Sequence, residues 1–266
     1  MTHLKNREFL FQAWRKLIRA YLISFAASLA VGYVLIEWFS LEPQKLLELS
    51  VSRLTVAGAV FQKALGLGLD MGLVLFVWNF LGALATLSFI YTASWIDPRN
   101  ITRLPRSLRK ALAGKGRMKM LQFLPGCRNI EAEPVRRVYV WLMVPLLGIL
   151  LLGAECGLIV SAAARMSGSF LMGIMSLVPH GIIEIPAITL AGAVTFSGHL
   201  LVKEAAGQHR PENHLAEHVF DSIETLRKNL PIRTIVLAVM LGLLVAGLIE
   251  AHITGKIMGY FDPAPV

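Results

Sequence analysis

The chain has 266 residues, of which 55% are hydrophobic and only 16% are charged. A soluble domain of this length needs a more polar surface than this composition provides, so the sequence predicts an integral membrane protein. The net charge of +9 reflects an excess of Lys and Arg whose positions follow membrane topology, which argues against nucleic-acid binding.

Five apolar runs are long enough to cross about 30 Å of hydrocarbon as helices. The first follows a polar, basic stretch and shows no cleavage site, so we expect a retained helix and not a signal peptide. The predicted fold is an all-α, polytopic transmembrane bundle that forms one domain over residues 1–266. Its spans lie near 17–38, 67–95, 138–164, 170–202 and 235–253.

The basic residues divide unequally between the two sides of the predicted membrane. The segments 1–19, 97–137 and 203–233 hold 21 of the 26 Lys and Arg. Cytoplasmic loops carry the excess of basic residues, so we expect a multi-pass protein of the cell membrane with a cytoplasmic N-terminus and an outer C-terminus.

Two segments between the spans are predicted to meet partners. Residues 41–65 are too polar to cross and have apolar residues at helical spacing, which predicts an outer surface helix facing other membrane proteins or a second copy of the chain. The cytoplasmic loop 97–137 is rich in Arg and Lys and is expected to attract anionic lipid headgroups of the bilayer.

After the fourth span, the segment 203–231 has the pattern of an amphipathic cytoplasmic helix. One apolar stripe runs along it, formed by Leu215, Val219, Ile223, Leu226 and Leu230. The string HLAEH places His214 and His218 four residues apart with Glu217 between them, the spacing with which two imidazoles can share a zinc ion. Such residues on a water-exposed helix more often belong to its polar face, and no third ligand can be named.

Polar side chains inside the apolar runs are candidates for a functional site, because an ionisable group in hydrocarbon is costly unless it faces protein or water. They are Asn79, Glu155, His180, Glu184 and Glu250. The alternative is structural, since such groups also hold helices together by hydrogen bonds. Gly153 and Gly157 flank Glu155 with the small-xxx-small spacing that allows a second helix to approach closely.

The fourth apolar run is too long for one straight span and too short for two. We expect a short helix that dips into the membrane, a re-entrant turn at Pro179-His180-Gly181, and a following helix weakened by Pro186. His180 and Glu184 then either complete this elbow structurally or line a cavity for an ion, a proton or a partner's side chain.

The string PHGIIEIPA, residues 179–187, resembles the P-H-G-x-x-E-x-x-A pattern of the stage II sporulation protein M family. FVWNFLGALATL resembles the Asn-bearing second span of that family, and VAGLIEAHIT resembles its terminal span, with a Glu-Ala pair followed by Thr. The resemblance implies that Asn79, His180, Glu184 and Glu250 are the characteristic polar positions.

The resemblance also implies a non-enzymatic component of a membrane complex, which in sporulating relatives supports septal cell-wall remodelling. The leading hypothesis is therefore a scaffold or assembly factor without a cofactor. A transporter or channel with an ion site at the elbow is the alternative. A metallohydrolase that uses His214, Glu217 and His218 with zinc is the third.

Overall fold

The structure, a computed structural model, describes residues 3–51, 55–101, 126–127, 130–207 and 212–261. The regular elements in these ranges are helices, and no strand occurs in them. In chain order they are α1 (His3–Glu37), α2 (Pro43–Val51), α3 (Thr55–Gly66), α4 (Met71–Thr92), α5 (Pro98–Ile101), α6 (Glu133–Ser167), α7 (Phe170–Met175), α8 (Val178–Ala206), α9 (Glu212–Asn229), α10 (Ile232–Ile249) and α11 (Gly255–Phe261).

Five helical segments of the described residues are long and apolar enough to cross a membrane, which confirms the predicted all-α polytopic fold. They are Arg7–Glu37, Met71–Trp95, Glu133–Ser167, Val178–Ala206 and Ile232–Gly259. We refer to them as spans one to five. Span four is the most buried of the five, since 78% of its most apolar window is enclosed by protein against 22–33% for the others.

The fourth apolar segment is broken, as predicted, but the break lies elsewhere. Ser169 begins the short helix α7 by accepting a hydrogen bond from the Met172 amide, and Ser176 and Leu177 separate α7 from α8. The predicted turn at Pro179-His180-Gly181 is wrong, because these residues form the first turn of α8. Pro179 fits there because the first turn of a helix needs no N–H donor.

Pro186 does not interrupt α8, which continues to Ala206. Proline has no N–H with which to donate to the carbonyl of Ile182. The Thr189 hydroxyl lies 2.7 Å from the Ile185 carbonyl oxygen and 3.1 Å from the Pro186 carbonyl oxygen, and its proton, donated to these acceptors, reinforces the following turn.

The surface segments differ in detail from the predicted ones. The segment between spans one and two, predicted as one surface helix, forms two helices, α2 and α3, and residues 52–54 between them lie outside the described residues. The predicted amphipathic helix over 203–231 corresponds to α9, which begins at Glu212, whereas residues up to Ala206 belong to α8. The predicted apolar stripe is buried. Most of the basic loop lies outside the described residues, and α6 already begins at Glu133.

The chain divides into two compact units, and every span contributes residues to both. One unit comprises Met1–Lys16, Leu84–Leu147 and Ala191–Thr234, and the other comprises Leu17–Ala83, Gly148–Leu190 and Ile235–Val266. In the first, Trp141 donates to the Thr92 hydroxyl at 3.0 Å, and its ring contacts Phe89 edge to face.

In the second unit, α1 and α6 pack at backbone distance. A Cβ atom added to Gly153 would lie 2.7 Å from the Tyr21 carbonyl oxygen, and one added to Gly157 would overlap Ser28 and Phe25. The Ser24 hydroxyl also donates to the Leu150 carbonyl at 2.6 Å. The small-residue spacing around Glu155 therefore serves the close helix contact that the sequence predicts.

Candidate functional site

Helix α8 places His180 and Glu184 on one face, because residues four apart lie one above the other on an α-helix. Both positions fall in the first two turns after the break at Ser176 and Leu177. His180 is buried and Glu184 is largely buried, with 16% of its side chain exposed. The helix thus presents an imidazole and a carboxylate to the interior of the second unit.

Span two contributes Asn79 to this face. The Asn79 side-chain amide donates a hydrogen bond of 2.8 Å to Glu184 Oε1. This bond joins two spans, and it orients the Glu184 carboxylate so that its second oxygen, Oε2, points towards His180 at 3.9 Å from Nε2. That separation is too long for a hydrogen bond.

Span five contributes Glu250 and Thr254 through a π-helical turn over Glu250–Thr254. The hydroxyl of Thr254 lies 3.4 Å from His180 Nδ1 and donates to the Ile249 carbonyl at 3.2 Å, the five-residue separation of a π-turn. Single π-turns inside α-helices are rare and often coincide with functional sites.

The three spans together form a polar cluster, by which we mean Asn79, His180, Glu184, Glu250 and Thr254. One ligand atom from each of His180, Glu184 and Glu250 can be chosen so that all three atoms lie within 4.8 Å of one another. Among the described residues, this is the group of three or more His, Cys, Asp or Glu side chains that could hold a metal ion.

Four of the five predicted intramembrane residues belong to the cluster, and Glu155 does not. Glu155 is half-buried on α6 between the two glycines that contact α1. Thr254 is the one member of the cluster that is not among the site residues predicted from the sequence. Its position four residues after Glu250, in the string that resembles the terminal span of the family, is the signal that could have identified it.

The elbow residues Pro179, Gly181 and Pro186 lie on α8 but supply no atom to the cluster. A groove of about 340 Å³ passes beside Gly181 and Pro186 and is almost entirely apolar. Its lining includes Tyr21, Phe25, Leu177, Gly181, Ile185 and Pro186. The wall of this groove therefore suits hydrocarbon rather than an ion.

The predicted metal ligands of α9 are not brought to a third ligand by the residues described. Glu217 is exposed and lines an open groove of about 690 Å³ with Asp97, Arg99 and Glu133. His218 Nδ1 lies 2.9 Å from the Ser222 hydroxyl. The side chain of His214 lies outside the described residues, so the zinc site on α9 stays a prediction.

Residues 137–255 match the sequence model of the family described as stage II sporulation protein M. No curated protein and no solved structure matches the chain. The matched region contains Glu155, His180, Glu184, Glu250 and Thr254, whereas Asn79 precedes it. The match confirms the resemblance carried by PHGIIEIPA, so that over residues 137–255 this multi-pass membrane protein is similar to the stage II sporulation protein M family.

Proposed function

We propose that the protein is a non-enzymatic assembly component of a membrane complex, and that it binds another membrane protein through the surface helices between spans one and two. The observation that carries the proposal is the set of large apolar side chains that α2, α3 and the adjoining residues expose. This proposal goes beyond the similarity to the family, which by itself assigns no partner.

The inner face of α2 is packed, and its outer face is apolar as well. Leu46 is only 2% exposed and forms a small core with Ile36 and Ala162. Leu49, three residues further on, is 65% exposed, and Leu67 is 75% exposed. Neither α2 nor α3 is long enough to cross the bilayer, and exposed apolar side chains of this size at a membrane surface are typical of a surface that binds another protein.

Charge supports a peripheral lipid contact on the other side of the bilayer. Residues 97–137 contain 11 Lys and Arg, and each basic side chain near an anionic surface contributes about 1 kcal/mol. We propose that this loop faces the cytoplasm and anionic lipid, with the N-terminus on the same side and the C-terminus outside.

Photo-crosslinking in native membranes tests the partner surface. Benzoylphenylalanine in place of Leu49 or Leu67 is expected to give discrete protein adducts, and the same residue in place of the buried Leu46 serves as the matched control. Adducts of twice the chain mass would identify a second copy as the partner. Only lipid adducts at Leu49 and Leu67, or the same products at Leu46, would contradict the proposal.

The polar cluster favours transport of an ion or proton as a second candidate function. Buried carboxylates and histidines from several spans are common along such pathways. Purified protein in liposomes, with Glu184→Gln as the comparison, distinguishes the two candidates. A proton or cation flux that the substitution abolishes supports transport, and equal flux in both samples contradicts it.

A further inference from the structure

We propose that His180, Glu184 and Glu250 bind one divalent cation of the Zn²⁺ or Mn²⁺ type inside the membrane-spanning part of the protein. The assembly role proposed above does not require this metal. The inference rests on the placement of hydrogen-bond donors around the three side chains, on their charge and on their separation.

The contacts of Thr254 are compatible with the tautomer of His180 that a metal site needs. The hydroxyl has one proton, and its oxygen lies 3.2 Å from the Ile249 carbonyl and 3.4 Å from His180 Nδ1. With that proton donated to the Ile249 carbonyl, the hydroxyl accepts from Nδ1–H, and Nε2 presents its lone pair to Glu184.

Asn79 has the corresponding effect on Glu184. Its amide donates to Oε1 at 2.8 Å and leaves Oε2 to face His180 Nε2 at 3.9 Å. With Glu184 ionised and the His180 proton on Nδ1, a lone pair and a carboxylate oxygen face each other without a proton between them. Metal sites share this arrangement, because a ligand side chain that binds the ion with one atom is commonly oriented by a hydrogen bond to another of its atoms.

The separations suit a single ion. Two ligands that each lie about 2.0–2.2 Å from a zinc ion are up to about 4 Å apart. The 3.9 Å between Nε2 and Oε2 meets this condition, and all three ligand atoms lie within 4.8 Å of one another. Binding of one ion would require the ligand atoms to move closer together, which a change of side-chain rotamer can provide.

The charges of the cluster also favour a divalent cation. Two ionised carboxylates and a neutral imidazole carry a charge of −2, which is costly in a low-dielectric interior. A divalent cation makes the site neutral overall. One imidazole with two carboxylates is a mixed nitrogen and oxygen set, which suits Zn²⁺, Mn²⁺ or Fe²⁺ better than the all-oxygen sites of Ca²⁺ and Mg²⁺.

Protonation of the two carboxyl groups would also make the cluster neutral, so the experiment must separate metal from protons. The full chain is purified in detergent without a histidine tag, stripped with EDTA, and dialysed against Zn²⁺, Mn²⁺ or Mg²⁺. Metal content is measured by mass spectrometry after removal of free ions. We expect about one Zn²⁺ or Mn²⁺ per chain and no retained Mg²⁺.

The variants locate the ion. Glu250→Gln and His180→Ala are expected to lose the bound metal, whereas Glu155→Gln, which changes an intramembrane carboxyl group outside the cluster, retains it. His218→Ala retains it as well, which separates the cluster from α9. A wild-type chain without bound Zn²⁺ or Mn²⁺ would overturn the proposal, as would a Glu250→Gln variant that binds as much metal as the wild type.

Two further measurements test the assignment through the orienting residue Asn79 and through thermal stability. Asn79→Ala is expected to weaken metal affinity about 10- to 100-fold, because it frees the carboxylate that Asn79 orients. Added Zn²⁺ or Mn²⁺ should raise the melting temperature of the wild type and of Glu155→Gln, but not that of Glu250→Gln. Unchanged affinity in Asn79→Ala, or an equal shift in Glu250→Gln, would contradict the assignment.

Discussion

Glu184 is the residue through which spans two and four meet in the polar cluster. Its carboxylate accepts the Asn79 hydrogen bond with one oxygen and directs the other towards His180. A buried amide group without a hydrogen-bond acceptor lowers the stability of the fold. The oxygen atom at position 184 therefore stabilises the protein as the acceptor for Asn79, apart from its charge.

Substitutions at position 184 separate the hydrogen bond from the charge. In protein stripped of divalent cations, Glu184→Gln should melt at or above the wild-type temperature, because the amide oxygen still accepts from Asn79 and the repulsion from Glu250 is removed. Glu184→Leu should cost about 1–3 kcal/mol, because it leaves the Asn79 amide without its acceptor. Thermal unfolding followed by circular dichroism measures both. Equal melting of the two variants would show that the hydrogen bond contributes nothing.

At the scale of elements, small residues decide which spans can touch. Gly157 allows the backbones of α6 and α1 to meet, since an added Cβ atom would lie only 2.8 Å from the Leu29 amide nitrogen and would overlap Ser28 and Phe25. Gly181 on α8 is different. An added Cβ atom there would meet only the side chains of Leu177 and Ile185, at 3.3–3.4 Å.

The two glycines should therefore respond differently to the same substitution. Gly157→Ala is expected to lower stability by about 1–3 kcal/mol because the helices must separate. Gly181→Ala should change it by under about 1 kcal/mol, because alanine favours the helix and the neighbouring side chains can move. Melting temperatures in one detergent provide the comparison. A larger loss at Gly181 would indicate the turn that the sequence predicted at that position.

Beyond the end of span two, the short helix α5 is held by a group of charged residues. The Asp97 carboxylate is buried and accepts from the Arg99 amide at 2.9 Å and from the Arg99 guanidinium, which also contacts Asp221 on α9. Asp97 first, and then Asp221, hold the pKa of Arg99 above its usual value.

Loss of the two carboxylates should have unequal effects. Asp97→Ala removes a buried acceptor that also satisfies a helix N-terminus, so we expect a loss of about 1–3 kcal/mol. Asp221→Ala breaks an exposed ion pair and should cost under about 1 kcal/mol, with a smaller effect at high salt. Thermal unfolding at two salt concentrations measures this. A loss at Asp221 that matches the loss at Asp97 would show that the exposed pair determines the position of α5.

At the scale of the whole molecule, the number of spans and the distribution of basic residues together predict the orientation. An odd number of spans would place residues 1 and 266 on opposite sides of a membrane. The segments predicted on the same side as residue 1 contain most of the Lys and Arg. Alkaline phosphatase fused after Val266 should be active, and green fluorescent protein fused there should not fluoresce. The opposite result at the C-terminus would reverse the predicted topology.

The candidate site was predictable in its members more than in its arrangement. Residues 79, 180, 184 and 250 stand out in sequence because each is polar within an apolar run, and the i, i+4 spacing of His180 and Glu184 places them on one helix face. Glu155 is also a polar residue within an apolar run. Whether it joins the cluster depends on which face of α6 is turned towards the other spans. The sequence pattern likewise does not predict the π-helical turn that brings Thr254 next to His180.

The sequence by itself determined the membrane class, five spans and the buried stripe of α9. Span length is set by the thickness of the hydrocarbon layer, and an apolar stripe at helical spacing avoids water, so both can be read from a local stretch of sequence. Only the tertiary structure decided where the fourth segment breaks, because Pro179 and Gly181 are compatible with both a turn and a first helical turn. It also decided which polar side chains meet, because Asn79, Glu184 and Glu250 are far apart in the chain and come together only through helix packing.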